Sequence, residues 1–419
     1  MNFIRRSSLP GGALVCGVAF SWVASPATAQ WPQWGGPSRN FVVTSTGLAS
    51  HWSEQGPKNV WSRALGEGYS MIAVEDGKLY TSYRDGDDEI VVSLDAETGK
   101  TQWEHKYPAP KIEGIDPQFG LGPAVTPTIH EGLVYSLGRT GNLVCLDAKT
   151  GKSVWSHDVV KEYGAKPPEF GFSSSPMVYG QTLIAMIGGT GSGIAAFDLK
   201  DGSLLWKKHD FGNLYASPML IQVGGQEQLV TIIDREVVGL SPKNGEILWR
   251  HPFENQWKTN VCSPLWGDGI LFVSSGGDAG SKGLRLSLDG DKTKVEELWS
   301  SKKMAVGGHS NAVRVGDVVY ASTGSAALLG AVNVRNGEVS WRKRGFANST
   351  VLFADGKLIV LDEDGKLSLT IPQKDDLKVE SQVELLKKNA WTAPTLVGKR
   401  MYVRDKETIM ALDLGSDPT

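Results

Sequence analysis

The chain has 419 residues, of which 40% are hydrophobic and 21% are charged, and its formal net charge is −3. This length and hydrophobic content suffice for a large buried core. The near balance of 43 basic and 46 acidic residues excludes the basic surface that a nucleic-acid-binding protein needs.

The first 29 residues predict an export signal peptide. Arg5 and Arg6 precede an apolar segment at 13–24, and the small residues of Ala-Thr-Ala at 27–29 precede Gln30. The apolar run is about a dozen residues long, whereas a membrane-spanning helix needs roughly 20. We therefore expect cleavage after residue 29, a mature chain without a transmembrane segment, and a periplasmic or secreted protein.

Residues 30–57 contain the run WPQWGGP at 31–37 and have no regular hydrophobic period. This composition predicts an irregular N-terminal arm lying on the main domain, which we place at 58–419. Within that domain one short pattern repeats: residues 95–103 read DAETGKTQW and residues 147–155 read DAKTGKSVW. The pattern predicts a strand, a tight turn with Gly at positive φ, and a returning strand whose Trp packs on a neighbouring sheet.

The tryptophans that end these repeats are spaced by 42 to 52 residues. That period is typical of a four-stranded propeller blade and too long for ankyrin or leucine-rich repeats. A second signal is a proline at the predicted start of an inner strand, as in Thr126-Pro127 and Ser175-Pro176, a position where a strand tolerates proline. The predicted complete blades are 64–107, 120–158, 170–210, 213–252, 260–302, 308–344 and 348–387.

Each end of the domain supplies only some strands of a four-stranded blade, and the two sets are complementary. A single strand surrounds Trp61, whereas residues 391–414 supply three strands with no turn-plus-Trp strand after them. We therefore predict an all-β, eight-bladed β-propeller of four-stranded blades whose last blade is closed by the N-terminal strand, which leaves no open sheet edge.

The turn-plus-Trp repeats and the Pro-led strands resemble the PQQ-type propeller repeat over nearly all of the predicted mature chain. This family includes quinoprotein alcohol dehydrogenases, which use pyrroloquinoline quinone (PQQ) and Ca²⁺, and the outer-membrane assembly factor BamB, a cofactor-free scaffold. The arm, with Gly56-Pro57 and Trp61, is similar to the start of many exported bacterial proteins of this type. The resemblance implies a blade architecture and does not by itself imply a cofactor.

Several features of these relatives have no counterpart in the chain. It has no adjacent cysteine pair and no haem-attachment Cys-x-x-Cys-His, and its residues cannot be matched one by one to the calcium-ligand and catalytic-base Asp positions of the dehydrogenases. No catalytic or cofactor-binding residue is therefore carried over. Cys16 lies inside the apolar run and is poorly placed for the lipid anchor usual in BamB-like proteins.

Other chemistry-bearing groups favour structural roles, and we predict no metal site. His105, His157, His209 and His251 lie at similar positions of different blades, which diverge from one another and cannot meet at one ion. The acidic runs at 85–89 and 362–364 predict solvated hairpin tips, and the glycine-rich run at 188–193 precedes a strand and not the helix that a phosphate site needs.

The mouth of the central channel is the remaining candidate site, because rings commonly bind ligands there. Polar or aromatic residues just before or at the predicted inner strands are the candidate ligand contacts, with water-filled channel lining as the alternative role: Ser70, Ser175, Ser217, Asn260, Asn311, Asn348 and Trp391.

The function predicted from these observations is a non-catalytic exported scaffold that binds a protein or another component of the cell envelope, most simply as a monomer. The loops at 107–120 and 158–170 would form its recognition surface. The alternative is a dehydrogenase of alcohols or sugars that depends on PQQ and calcium.

Overall fold

The computed structural model describes residues 30–112, 114–115, 120–212, 215–256, 260–323 and 326–415, and the predicted signal peptide lies outside them. Within these residues the chain forms 33 strands and one short helix, α1 (Val159–Tyr163). The strands are β1 (Val42–Val43), β2 (Lys58–Ala64), β3 (Ala73–Glu75), β4 (Lys78–Asp85), β5 (Asp88–Asp95), β6 (Thr101–Pro108), β7 (Thr128–His130), β8 (Leu133–Leu137), β9 (Asn142–Asp147), β10 (Ser153–Asp158), β11 (Met177–Tyr179), β12 (Thr182–Met186), β13 (Ile194–Asp198), β14 (Leu204–Lys208), β15 (Met219–Val223), β16 (Gln226–Ile232), β17 (Glu236–Leu240) and β18 (Ile247–Pro252). They continue with β19 (Leu265–Gly267), β20 (Ile270–Ser275), β21 (Gly280–Asp289), β22 (Lys292–Ser301), β23 (Ala312–Val315), β24 (Val318–Ser322), β25 (Leu328–Asn333), β26 (Val339–Arg344), β27 (Thr350–Ala354), β28 (Lys357–Leu361), β29 (Lys366–Pro372), β30 (Leu377–Glu384), β31 (Thr395–Val397), β32 (Arg400–Arg404) and β33 (Thr408–Asp413).

Eight sheets, each built on four antiparallel strands, form the blades of a β-propeller, which confirms the predicted fold class. Blades 1 to 7 each take four consecutive strands, from β3–β6 to β27–β30. The first strand of a blade is the innermost and the Trp-bearing fourth strand is the outermost. Prolines such as Pro127 and Pro176 come directly before the inner strands β7 and β11, as predicted.

The eighth blade joins the two ends of the domain. Its sheet has the order β2-β33-β32-β31, and β2 pairs antiparallel with β33 from Lys58 opposite Asp413 to Ala64 opposite Thr408. The predicted closure by the N-terminal strand is confirmed. Because the strand contributed by one end completes the sheet of the other, the ring closes through main-chain hydrogen bonds.

The repeated turn makes the seam between neighbouring blades. The Asp95 carboxylate accepts hydrogen bonds from the backbone N–H of Thr98 (2.8 Å) and from its hydroxyl (2.7 Å), and Gly99 has φ +68°. The indole of Trp103 then donates to the carbonyl of Ala148 in the turn of blade 2, at 3.0 Å. The turn and the ring together thus fasten the outer strand of blade 1 to blade 2.

The same seam recurs at four other blade junctions. Indole N–H groups donate to carbonyls of the following blade at Trp61–Ala96, Trp155–Leu199, Trp299–Val334 and Trp341–Gln373. Trp249 instead donates to the side chain of Gln228 within its own blade. In the blade that follows Trp249, β21 and β22 are ten residues each, so their tip at Gly290 lies beyond the usual turn position.

Candidate ligand site on the propeller axis

The N-terminal arm enters the central channel. Trp31 exchanges backbone hydrogen bonds of 2.8 Å with Val74 on the inner strand of blade 1, and the carbonyl of Pro32 accepts from Ile129 in blade 2. The indole of Trp34 donates to Ser263 at the start of blade 5. A segment that touches the inner strands of blades on different sides of the ring has to lie at the axis.

The arm turns inside the channel and leaves beside blade 7. Gly35 and Gly36 have φ of +70° and +81°, and a Cβ on Gly35 would lie 2.7 Å from the backbone of Arg39, so the turn needs glycine. Strand β1 then pairs in parallel with the inner strand β27. We expected the arm to lie on the propeller, but its first part fills the channel, where Trp31 and Phe41 are 0% and 2% exposed.

The buried guanidinium of Arg39 anchors the first part of the arm, residues 30–43, which we call the plug. Arg39 is 5% exposed and donates to the carbonyls of Ser175 (3.2 Å) and Pro176 (3.3 Å) in blade 3 and to the Gln33 side chain. Burial lowers the pKa of Arg39 to about 9, which still leaves it charged at neutral pH. The plug therefore supplies a cationic hydrogen-bond donor to two carbonyls directly before the inner strand of blade 3, which would otherwise lack this partner.

Above the plug, the channel opens as a cavity of about 310 Å³ that we call the axial cup. Its floor is Trp34, and its walls come from the segments that lead into the inner strands. The residues that line it are Trp34, Tyr69, Ala124, Arg139, Phe170, Ser173, Tyr215, Ser217, Val261, Gly308, His309 and Trp391. The cup is therefore closed at the bottom by the arm and open toward the loops.

Aromatic rings form two walls of the cup. On the side of blades 6, 8 and 1, the ring of His309 stacks on Trp391 with centroids 3.7 Å apart and planes at 19°, and Tyr69 lies 5.1 Å from the same indole. On the side of blades 3 and 4, Phe170 and Tyr215 lie 6.3 Å apart. Desolvation by the surrounding groups lowers the pKa of His309, and the nearby Glu363 carboxylate opposes the shift.

Arg139 is the only charged side chain among the described residues that line the cup. It is 6% exposed, and it donates to the carbonyls of Phe170 (2.8 Å), Gly120 (3.2 Å) and Gly122 (2.7 Å). Its backbone N–H donates to the buried carboxylate of Glu89. The guanidinium thus holds together the ends of the two loops that the sequence marked as a recognition surface.

The seven predicted contact residues separate into two groups. Ser217 and Trp391 line the cup, and whether they touch a ligand stays a prediction. The other five lie outside its lining; Ser175, Asn260 and Asn311 bond to a neighbouring blade, whereas Ser70 bonds within blade 1. Thr126 N–H donates to Ser175, Asn311 exchanges two bonds with Val351, Asn260 donates to Ile233, Ser70 accepts from Ser82, and Asn348 lies behind Gly308.

A positional rule would have found half of the ten lining residues that the sequence prediction missed. Six of the residues lining the cup lie four positions before the first residue of an inner strand: Tyr69, Ala124, Ser173, Tyr215, Val261 and Trp391. His309 lies three positions before Ala312. Arg139 and Trp34 carry no such signal, because they come from a different loop and from the arm.

The histidines after the blade tryptophans serve the seams. Ring nitrogens of His157 and His209 lie 2.8 Å and 2.7 Å from the carbonyls of Gly202 and Gly245 in the next blade, and His251 pairs with Glu297. Within the described ranges, no three His, Cys, Asp or Glu side chains lie together in a way that could hold a metal ion.

Comparison with known proteins places the chain among these propellers. The family described as outer membrane protein assembly factor BamB matches residues 21–118, 87–276, 190–344 and 290–376. The chain belongs to this family. A member from Xanthomonas campestris pv. campestris, named outer membrane protein assembly factor BamB, is 25% identical over 74% of this chain and 84% of its own length.

Similarity to dehydrogenases is shorter in sequence and broad in fold. Quinoprotein alcohol dehydrogenase PedH of Pseudomonas putida is 25% identical over 43% of this chain, which spans only 29% of that enzyme. The structure of quinohemoprotein alcohol dehydrogenase from Comamonas testosteroni superposes with a TM-score of 0.67, covering 95% of this chain and 82% of that one, at 14% identity. At that identity the superposition shows the propeller fold alone.

Among the described residues, no helix has the length and apolar character to cross a bilayer.

Proposed function

We propose that this protein is an exported, non-catalytic scaffold that binds another protein of the cell envelope. The observation that carries the proposal is the extent of its sequence relatedness. The match to the Xanthomonas assembly factor covers most of both chains, whereas the match to PedH covers less than a third of the enzyme. A rigid ring closed by main-chain pairing is also a suitable platform for loops that recognise a partner.

The alternative function, a quinone-dependent dehydrogenase, requires that the axial cup bind PQQ together with Ca²⁺. Calcium takes six to eight oxygen ligands, with carboxylates prominent among them. No carboxylate lines the cup among the described residues; Glu363 lies behind Trp391 and accepts the indole N–H. The donor set therefore does not fit the quinone–calcium pair.

One experiment separates the two functions. The mature chain, residues 30–419 with a C-terminal tag, is incubated with solubilised envelope from the source bacterium, crosslinked, and competed with untagged protein. The scaffold proposal expects one or a few proteins whose capture saturates and is competed. In parallel, the chain is loaded with PQQ and Ca²⁺ and assayed for dye reduction with alcohols and sugars. Saturable turnover, or no competed partner, would overturn the proposal.

Export and location are part of the same proposal. The sequence at 27–29 predicts cleavage before Gln30, and Gln30 is exposed at the start of the arm. N-terminal sequencing of the protein purified from its own cells is expected to begin at Gln30. Retention of residues 1–29 on the purified protein would contradict the predicted processing.

A further inference from the structure

The axial cup has the shape and chemistry of a receptor for one flat ring. Its two aromatic walls come from opposite sides of the eight-bladed ring, with the His309–Trp391 stack on one side and the Phe170–Tyr215 pair on the other. Trp34 closes the space between them from below. Aromatic groups prefer to stack on or meet other rings edge to face, so an aromatic guest gains contacts on three sides.

Arg139 adds a site for one negative charge at the edge of this space. Three of its hydrogen bonds go to carbonyls through Nε and Nη1, and no described residue accepts a hydrogen bond from Nη2. The guanidinium is held in place before any guest arrives, which lowers the entropic cost of pairing with it. The remaining Nη2 group can donate a charge-assisted hydrogen bond to one oxygen of a carboxylate.

The plug decides where a guest can enter. Because the arm fills the channel below Trp34, the cup is open only toward the loops. His309 is exposed at the rim and continues the aromatic wall outward toward that face. A guest whose ring sits in the cup would therefore leave the rest of its structure at the loop surface, as a side chain does when its backbone lies across a pocket.

We infer that the axial cup receives an aromatic side chain of the partner protein, with an acidic group beside it that pairs with Arg139. The inference rests on the proposed scaffold function and names the part of the surface that recognises the partner. Buried aromatic anchors of this kind carry much of the binding energy in protein interfaces. The single guanidinium among the described residues that line the cup favours one negative charge on the guest.

The direct test uses blocked tetrapeptides and calorimetry on the mature chain. The probe is acetyl-Gly-Trp-Asp-Gly-amide, compared with the same peptide carrying Ala for Trp or Asn for Asp. We expect the Ala peptide to bind at least about tenfold more weakly and the Asn peptide about fivefold more weakly, consistent with the loss of an aromatic anchor and of a charge-assisted pair. Equal binding of all three peptides, or no binding, overturns the inference.

A free aromatic acid is the competing occupant. Indole-3-acetate carries the same ring and charge without a peptide backbone. Tighter binding of indole-3-acetate than of the Trp-Asp peptide would show that the cup serves a small molecule, which overturns the assignment to a protein side chain.

Two matched variants test whether the partner protein binds in the cup. Ser173→Phe places a ring inside the cup, and Ser156→Phe places the same ring on the exposed face of β10. We expect Ser173→Phe to abolish peptide binding and partner capture, and Ser156→Phe to leave both unchanged. If Ser173→Phe fails to fold, Ala124→Phe fills the mouth from the neighbouring blade and replaces it.

The outcomes distinguish the two levels of the proposal. If wild type and Ser173→Phe capture the same competed partner equally well, the scaffold function stands and the cup inference fails. If wild type captures no competed partner at all, the scaffold function itself fails.

Discussion

Trp103 on the outer strand of blade 1 packs directly against Gly151 in the turn of blade 2. Gly151 has φ +70°, and a Cβ built on it would lie 2.5 Å from the indole ring. The same relation joins Trp155 to Gly202 at 2.6 Å and Trp299 to Gly337 at 2.6 Å. The glycine therefore has two roles, since it permits the turn and leaves room for the ring of the preceding blade.

This double role predicts that Gly151→Ala is more destabilising than a glycine change at a turn without a ring. We expect Gly151→Ala to lower the free energy of unfolding by about 3 kcal/mol, combining backbone strain with overpacking. Gly180→Ala is the matched control, because Gly180 also has positive φ (+58°) but no atom within 4 Å of its added Cβ. Its expected cost is about 1 kcal/mol. Urea unfolding measures both, and equal losses would contradict the packing role.

The closure of the ring predicts a specific crosslink. Ala64 and Thr408 are directly opposite in the β2–β33 pairing, so Ala64→Cys with Thr408→Cys should form an intramolecular disulfide on mild oxidation. The bond would close a very long loop and raise the unfolding temperature. Mobility on a non-reducing gel and a thermal melt check this. Ala64→Cys with Ser153→Cys, on a different blade, should form no such bond.

The plug predicts protected amides in the arm. Replacing Arg39 by Met removes the donor to the carbonyls of Ser175 and Pro176, and buried carbonyls without partners cost roughly 1–3 kcal/mol each. We expect faster hydrogen exchange at Trp31 and at Phe353, whose amide donates to the arm, together with lower overall stability. Arg39→Lys should restore part of the protection. Unchanged exchange in Arg39→Met would mean that the arm is held without this anchor.

The two cysteines of the described chain predict a pH-dependent reactivity. Cys145 and Cys262 are 0% and 3% exposed, and burial raises the pKa of each thiol to about 12. Both remain protonated at pH 8, so neither should react with a thiol reagent until the protein unfolds, when two equivalents react. The raised pKa keeps each thiol neutral in the folded state, whereas a thiol of the unfolded chain ionises above about pH 8.5. The folded state therefore loses stability relative to the unfolded chain only as the pH rises above about 8.5. Reaction of the native protein within minutes would contradict the burial.

Much of the fold was predictable from local pattern. The turn with Asp and Gly, the Trp on the returning strand and the Pro before the inner strand each follow from side-chain and backbone geometry within a few residues, so they recur in the sequence at the blade period. The candidate site was only partly predictable. Ser175 and Asn311 were expected to face the channel mouth, but side chains at that level bond across the seam, and the residues lining the cup lie slightly earlier in the chain.

By itself, the sequence determined the number of blades, the order of their strands and the joining of the two ends, because these depend on short-range periodicity and on which strands lack partners. Only the tertiary structure decided that Trp34 forms the floor of the cup and that Arg139 places a positive charge in its wall. Trp34 comes from the arm, which has no repeat, and Arg139 from the β8–β9 hairpin, whose length differs between blades, so their positions depend on contacts between residues far apart in the chain. A plug of 14 residues at 30–43 is placed by hydrogen bonds to several different blades, and no local pattern encodes such a set of partners.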